Sequence, residues 1–234
     1  MSLIILYFRD LGSGFIILLM KITLLQLVGI LQIKSYQKIQ EFLNREHIGR
    51  VSSIDENGYP QIIPMNFVFL NDSVYMHSHI KGEKIDNINR NNKVGFEVDR
   101  ELEFLPSYFE DPKDASLADT LYISIVIKGR ALLVKDREEK TLALNGLMKK
   151  YQPEGGYDPI QSTMKVLDSV AVIKIIPDTI HGKYKIGQHM HAEKRMDLAE
   201  KILQRNSSTA KETLKIMGFE ITENGLQMID EPVW

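Results

Sequence analysis

From residue 36 onward, apolar and polar positions fall into short periodic runs separated by turn signals. In Tyr36–Glu46 (YQKIQEFLNRE), Ile39, Phe42 and Leu43 recur at helical spacing, which predicts a short amphipathic helix. A β-like run, Gly49–Asp55, leads into the hairpin signal Glu56-Asn57-Gly58. Tyr59–Leu70 (YPQIIPMNFVFL) reads as one long strand, and Pro64 inside it argues for a sheet edge or a bulge, because proline cannot donate to a ladder. Asn71-Asp72 marks the next turn, Ser73–Ile80 the next strand, and Lys81-Gly82 opens a helix over Glu83–Arg90 with Ile85 and Ile88 inward. Lys93–Arg100 is a fourth strand and Leu105–Asp119 a polar loop. Thr120–Lys135 alternates as a long strand bent near Gly129. Asp136–Tyr151 is a helix starting at an aspartate cap, with Glu138 and Glu139 in its first turn. After a loop over Gln152–Tyr157, the pattern predicts a short helix over Pro159–Leu167. A core strand over Ser169–Ile176 is ended by Pro177. Two amphipathic helices follow, Ala192–Gln204 and Ser208–Met217.

This order predicts an α+β fold: about six antiparallel strands in a barrel-like sheet, with helices inserted and appended. Strictly alternating β–α units are missing, which argues against a doubly wound nucleotide fold. The expected partition is a hydrophobic extension over 1–34, a barrel domain over 35–180 and a helical extension over 181–234 packed on it. Within the extension, Phe15 to Ile33 is almost entirely apolar, broken by Lys21, Thr23, Gln26 and Gln32. Its length is near the ~20 residues of a bilayer span. A lysine at midspan is unfavourable by roughly 2.5–3.5 kcal/mol on the insertion scale. No small-residue cleavage site follows it. Three readings fit: a membrane anchor, an element packed on the domain or on a partner subunit, and translation begun upstream of the natural start. Lys21 sets the second and third above the first.

Composition narrows the function classes. The 234 residues are 44% hydrophobic and 26% charged, with net charge −2, so a strongly basic nucleic-acid-coating chain and a disordered acidic tail are both excluded. Cysteine is absent, which removes disulfides, thiolate metal centres and a thiol nucleophile. Redox chemistry must then come from a bound cofactor. The lack of cysteine fits a reducing compartment, and the cytoplasm is the expected location.

The most informative stretch for chemistry is His77 to Asn91, HSHIKGEKIDNINRN. A strand ends in histidine and serine, a Lys-Gly turn follows, and a helix begins. Helix N-termini offer free N–H groups and partial positive charge, which suit phosphate. Gly82 lets backbone approach closely, Lys81 and Lys84 add charge, and Ser78 adds a hydroxyl. The blander account is a strand–helix joint with solvated lysines. In Ile62–Phe67 (IIPMNF), Pro64 frees neighbouring backbone groups and Asn66 brings a donor and an acceptor. His-x-His occurs at His77/His79 and at His189/His191, but no acidic residue at ligand spacing completes either, and no metal is expected. A Gly-x-Ser-x-Gly elbow, a Walker loop and a Gly-x-Gly-x-x-Gly fingerprint are all missing.

Three blocks carry a resemblance: GRVSSIDENGYPQIIPMNFVF, then VYMHSHIKGEKIDNINRNNKVGFEVD, then YISIVIKGRA over Tyr122–Ala131. In this order they resemble the FMN-binding split-barrel superfamily of the pyridoxamine 5'-phosphate oxidases, and within it the nitroimidazole-resistance branch. The resemblance implies a six-stranded antiparallel split β-barrel and an obligate homodimer with FMN at the subunit interface. Lys84 matches the phosphate-binding basic position, with Ser78 and Lys81 beside it. Pro64, Met65 and Asn66 match the strand bordering the flavin ring, and Val51 and Ser52 lie on its neighbour. His77 matches a histidine beside the flavin and is the catalytic candidate, an imidazole being suited to proton transfer near neutral pH. Ser124 lies on the strand expected near the dimer seam. The implied activity is an FMN-dependent oxidoreductase acting on a small electrophile such as a nitro compound. The alternatives are a non-catalytic flavin- or ligand-binding protein, and a pocket that takes haem or a deazaflavin. No nucleic-acid partner is expected, and membrane contact through 1–34 is not favoured. The apolar first 34 residues and the long C-terminal helices depart from the family pattern.

Overall fold

The computed structural model describes residues 29–230. Most of the apolar run over 15–33, and the expectations that rest on it, lie outside the described residues. The elements are α1 (Tyr36–Arg45), β1 (Ile48–Ile54), β2 (Pro60–Asn66), β3 (Val68–Leu70), β4 (Ser73–His79), α2 (Glu83–Arg90), β5 (Lys93–Leu105), β6 (Asp119–Leu133), α3 (Arg137–Tyr151), β7 (Val170–Lys185), α4 (Ala192–Arg205), α5 (Ala210–Ile216), β8 (Phe219–Thr222) and β9 (Gly225–Met228). Helix α1 starts where the Ser35 hydroxyl accepts from the Lys38 N–H, and it buries Ile39, Phe42 and Leu43 as the periodicity predicts. Helix α3 starts at the Asp136 cap, which accepts from the Glu139 N–H.

Seven strands form one sheet in the order β2-β1-β5-β6-β7-β4-β3, and β8-β9 is a separate hairpin. The pairings β1–β2, β1–β5, β3–β4 and β4–β7 are antiparallel. The expected count of six becomes seven because the run over 59–70 is two strands, not one, parted at Phe67. Those two strands occupy opposite edges of the sheet although a single residue separates them in the chain. A flat sheet cannot satisfy that connection. The sheet curls until its edges approach, and β2 and β4 come near one another. The α+β class and the barrel-like curl therefore stand.

Two compact units are present, 33–102 with 122–183, and 29–32 with 103–121 and 184–230. In the larger, β6 buries Ile123, Ile125 and Ile127 at alternate positions, facing a core with Val51, Val74, Met76 and Phe96. On the other face of β4 and β7, α3 packs Ala143, Leu144 and Leu147 against Tyr75 and Val172. In the smaller unit, Leu198, Ile202, Leu214 and Phe219 form the core. Buried Glu103 there accepts from Arg205 (2.9 Å), Ser207 (2.5 Å) and Thr209 (2.8 Å).

Further differences from the sequence reading have local causes. Pro159–Leu167 forms no α-helix, only a 3₁₀ turn at Lys165–Asp168. Side chains of α3 take its backbone groups: Asn145 bonds both the N–H and the carbonyl of Ile160 at 2.9 Å, and Arg137 donates to the carbonyls of Ser162 and Met164. Pro177 does not end β7, which continues to Lys185. The ladder with β4 stops at Ile175, so the missing proline N–H falls outside it. Strand β5 runs on to Leu105, and the β8–β9 hairpin follows the last helix.

Candidate functional site

The joint between β4 and α2 is built as its sequence predicts. His77 is exposed and stands opposite Val172; Ser78 is half-buried and stands opposite Ala171. Neighbours on a strand face opposite ways, so His77 shares a face with Tyr75 and Ser78 with Met76. The His79 ring accepts from the Lys81 N–H at 3.1 Å, which turns the chain, while Lys81 itself is exposed. Gly82 has φ +133°, a conformation that favours glycine, and its carbonyl receives the N–H groups of Ile85 and Asp86 at 2.9 and 3.1 Å. No side chain caps the first turn of α2, which carries the acidic Glu83 and Asp86.

Lys84 is the distinctive residue of this joint. Its side chain is half-buried, and its Nζ donates to the Met65 Sδ on β2 at 3.2 Å. Among the described residues no carboxylate pairs with it. Burial without a counter-charge holds its pKa below the ordinary lysine range. One turn on, Asn87 is fully buried and donates to Ser53 (3.4 Å) and Gln61 (3.3 Å), while accepting from Arg90 (3.1 Å). Asn87 thus ties α2 to β1 and β2. The sequence reading missed it, although a polar residue three positions after Lys84, between Ile85 and Ile88, was the available signal.

The proline-bearing strand β2 is a sheet edge, as Pro64 predicts. Pro64 stands opposite Arg50, Met65 opposite Gly49 and Asn66 opposite Ile48. Pro64 and Asn66 are exposed on one face; Met65 is half-buried on the other. Ser52 is half-buried opposite Ile62 and Gly95. The Val51 side chain is 1% exposed, so only its backbone is available to a ligand. Ser124 is half-buried between the core residues Ile123 and Ile125 on β6, two strands from β1. The structure therefore brings Lys84 and Met65 into contact and keeps Pro64, Asn66 and Ser52 on the opposite face of the β1–β2 pair from Met65. A half-buried cation without a counter-ion, a helix start without a side-chain cap and a glycine entry together fit an anionic group such as a phosphate.

Residues 35–184, more than half of the chain, match the family model described as pyridoxamine 5'-phosphate oxidase. The chain belongs to the pyridoxamine 5'-phosphate oxidase family. No curated protein matches it. A crystal structure described as a putative 5-nitroimidazole antibiotic resistance protein from Bacteroides thetaiotaomicron is similar, with 26% identity and TM-score 0.56 over 65% of this chain and 85% of that one. The flavocytochrome Anf3 from Azotobacter vinelandii (18% identity, TM-score 0.57) covers 71% of this family member and 74% of its own length. An FAD and heme binding protein from Mycobacterium smegmatis (15% identity, TM-score 0.57) covers 71% and 79%. The last two likenesses show the shared fold alone.

Proposed function

We propose that this family member is a homodimeric, FMN-binding oxidoreductase that reduces a small electrophile such as a nitro compound. The observation that carries the reading is Lys84, a half-buried ammonium held against Met65 and, among the described residues, ion-paired with no carboxylate, at the start of α2 that no side chain caps. A phosphomonoester carries about −1.5 to −2 charges near neutral pH and supplies the missing counter-charge. Lys84 would hold it, with Lys81 and Ser78 as further donors from the same joint. Met65 and the backbone of Pro64–Asn66 would border the ring, with Val51 and Ser52 on the adjoining strand. A flavin bound there supplies two-electron hydride chemistry that no side chain of this chain can perform.

The remaining roles belong to the protein. His77, exposed on its strand, would hand a proton to the reduced substrate. Pro64 has no N–H and leaves that stretch of the β2 edge free of a ladder donor. Ile48, Ile54 and Ile62 are exposed on the outer face of β1–β2, Ile62 at 63%, and this apolar surface supports burial against a second subunit, with Ser124 near the seam. The nitroimidazole-resistance relative supports a nitro compound as the substrate class.

Titration of the purified protein with FMN, followed by quenching of flavin fluorescence, tests the binding half. Addition of NADH or NADPH with a nitroimidazole then tests turnover through loss of the nitro absorbance. We expect saturable uptake and steady-state reduction. Absence of uptake defeats the proposal, and uptake without turnover replaces the enzyme with a flavin-binding protein.

A further inference from the structure

Phe67, the residue between β2 and β3, belongs to neither ladder. The β1–β2 register ends at Ile48↔Asn66, and the β3–β4 register starts at Val68↔Tyr75. One more step of the first ladder would set His47 opposite Phe67. In place of that rung stands the hydroxyl of Tyr151, the last residue of α3. It accepts from the Phe67 N–H at 2.9 Å and donates to the His47 carbonyl, with the Phe67 carbonyl at 3.1 Å as its second acceptor. The Tyr151 and His47 rings lie 5.0 Å apart. Beside them, the Lys150 Nζ sits 3.8 Å over the Phe67 ring and donates to the Leu43 carbonyl of α1 at 2.9 Å. The Phe67 ring is wholly buried and edge-on to Phe96 at 5.1 Å.

We infer that Tyr151 is a positioning residue for the cofactor end of β2. A backbone rung joins two strands by direct N–H···O=C bonds; here the phenol hydroxyl is set between the Phe67 N–H and the His47 carbonyl and so holds the two backbones apart. This spreading ends the β1–β2 pairing and releases the chain toward β4. It also holds the Asn66–Phe67 peptide. That unit is planar and trans, so fixing its N–H fixes the direction of the Asn66 carbonyl as well. The backbone thus held is the Met65–Asn66 stretch beside Lys84, and the inference rests on the flavin reading of that site.

The test compares wild type with Tyr151→Phe, which removes only the hydroxyl, and with Leu144→Ala. The latter opens a cavity in the apolar cluster that Tyr151 packs against but removes none of the bridge's hydrogen bonds. FMN affinity, melting temperature and exchange of the Phe67 amide are measured for each. We expect Tyr151→Phe to bind FMN about 5-fold more weakly, the effect of one neutral hydrogen bond, and to exchange the Phe67 amide faster. Leu144→Ala should melt lower and bind FMN as wild type does. In wild type itself, the Phe67 amide should exchange as slowly as the ladder amides, a check that needs no variant. Unchanged affinity in Tyr151→Phe, affinity falling in step with melting in Leu144→Ala, or loop-like exchange at Phe67 in wild type would each overturn the inference. Wild type that takes up no FMN would instead remove the flavin reading and the inference with it.

Discussion

At the residue scale, two lysines are set apart by where their charge sits. The Lys84 Nζ has the Met65 sulfur as its hydrogen-bond partner. Replacing Lys84 with alanine should weaken FMN binding about 10- to 100-fold, the range of a charge-assisted hydrogen bond. Lys84→Arg should keep part of that affinity. Fluorescence titration reads both, and equal affinities across the three proteins would remove Lys84 from the phosphate site. Lys150 is buried enough to bring its pKa down to about 8, the Glu46 carboxylate opposing the shift. Between about 8 and the ordinary 10.5 the unfolded chain keeps a proton that the folded chain has released. Folding is therefore favoured increasingly as pH rises across that window. Melting curves of wild type and Lys150→Met should show wild type gaining relative to the variant from pH 8 to pH 10. A difference that stays flat would contradict the assignment.

At the element scale, close strand packing makes some glycines irreplaceable and others not. A Cβ at Gly129 would lie 2.4 Å from the Ile176 carbonyl oxygen, whereas one at Gly95 would meet only the Ser52 Cβ at an ordinary 3.7 Å. Gly129→Ala should destabilise by more than about 2 kcal/mol, as other overpacked core sites do, and Gly95→Ala by less than about 1 kcal/mol. Chemical denaturation of both variants checks the contrast. The same non-local packing decided which elements the sequence made legible. Helix α2 could be read over Glu83–Arg90 because its periodicity and its glycine entry are local signals. The parting of β2 from β3 could not, because Tyr151 bonds Phe67 from 84 positions away. The helix expected over Pro159–Leu167 was lost to Asn145 and Arg137 for the same reason. The Asn224-Gly225 hairpin signal was present but flanked by four-residue strands, too short to stand out.

At the scale of the whole molecule, the α+β class and the family follow from the order of blocks along the chain, and the residue-level site follows only in part. Lys84 was legible from charge beside a glycine turn. Its contact with Met65 and the buried Asn87 depend on how α2 settles against β1 and β2. Among the described residues, no helix is long and apolar enough to cross a membrane. The exposed Ile62 puts the proposed subunit contact on β2, the strand proposed to border the cofactor. Ile62→Lys should therefore shift sedimentation from dimer to monomer and lower FMN uptake together, whereas a monomeric wild type would dissolve that link. The most direct measurement is the visible spectrum of the purified protein together with the mass of whatever it releases on denaturation. The account predicts a yellow protein yielding FMN, one molecule per chain. A colourless protein that yields no flavin, and takes none up when FMN is supplied, would contradict it.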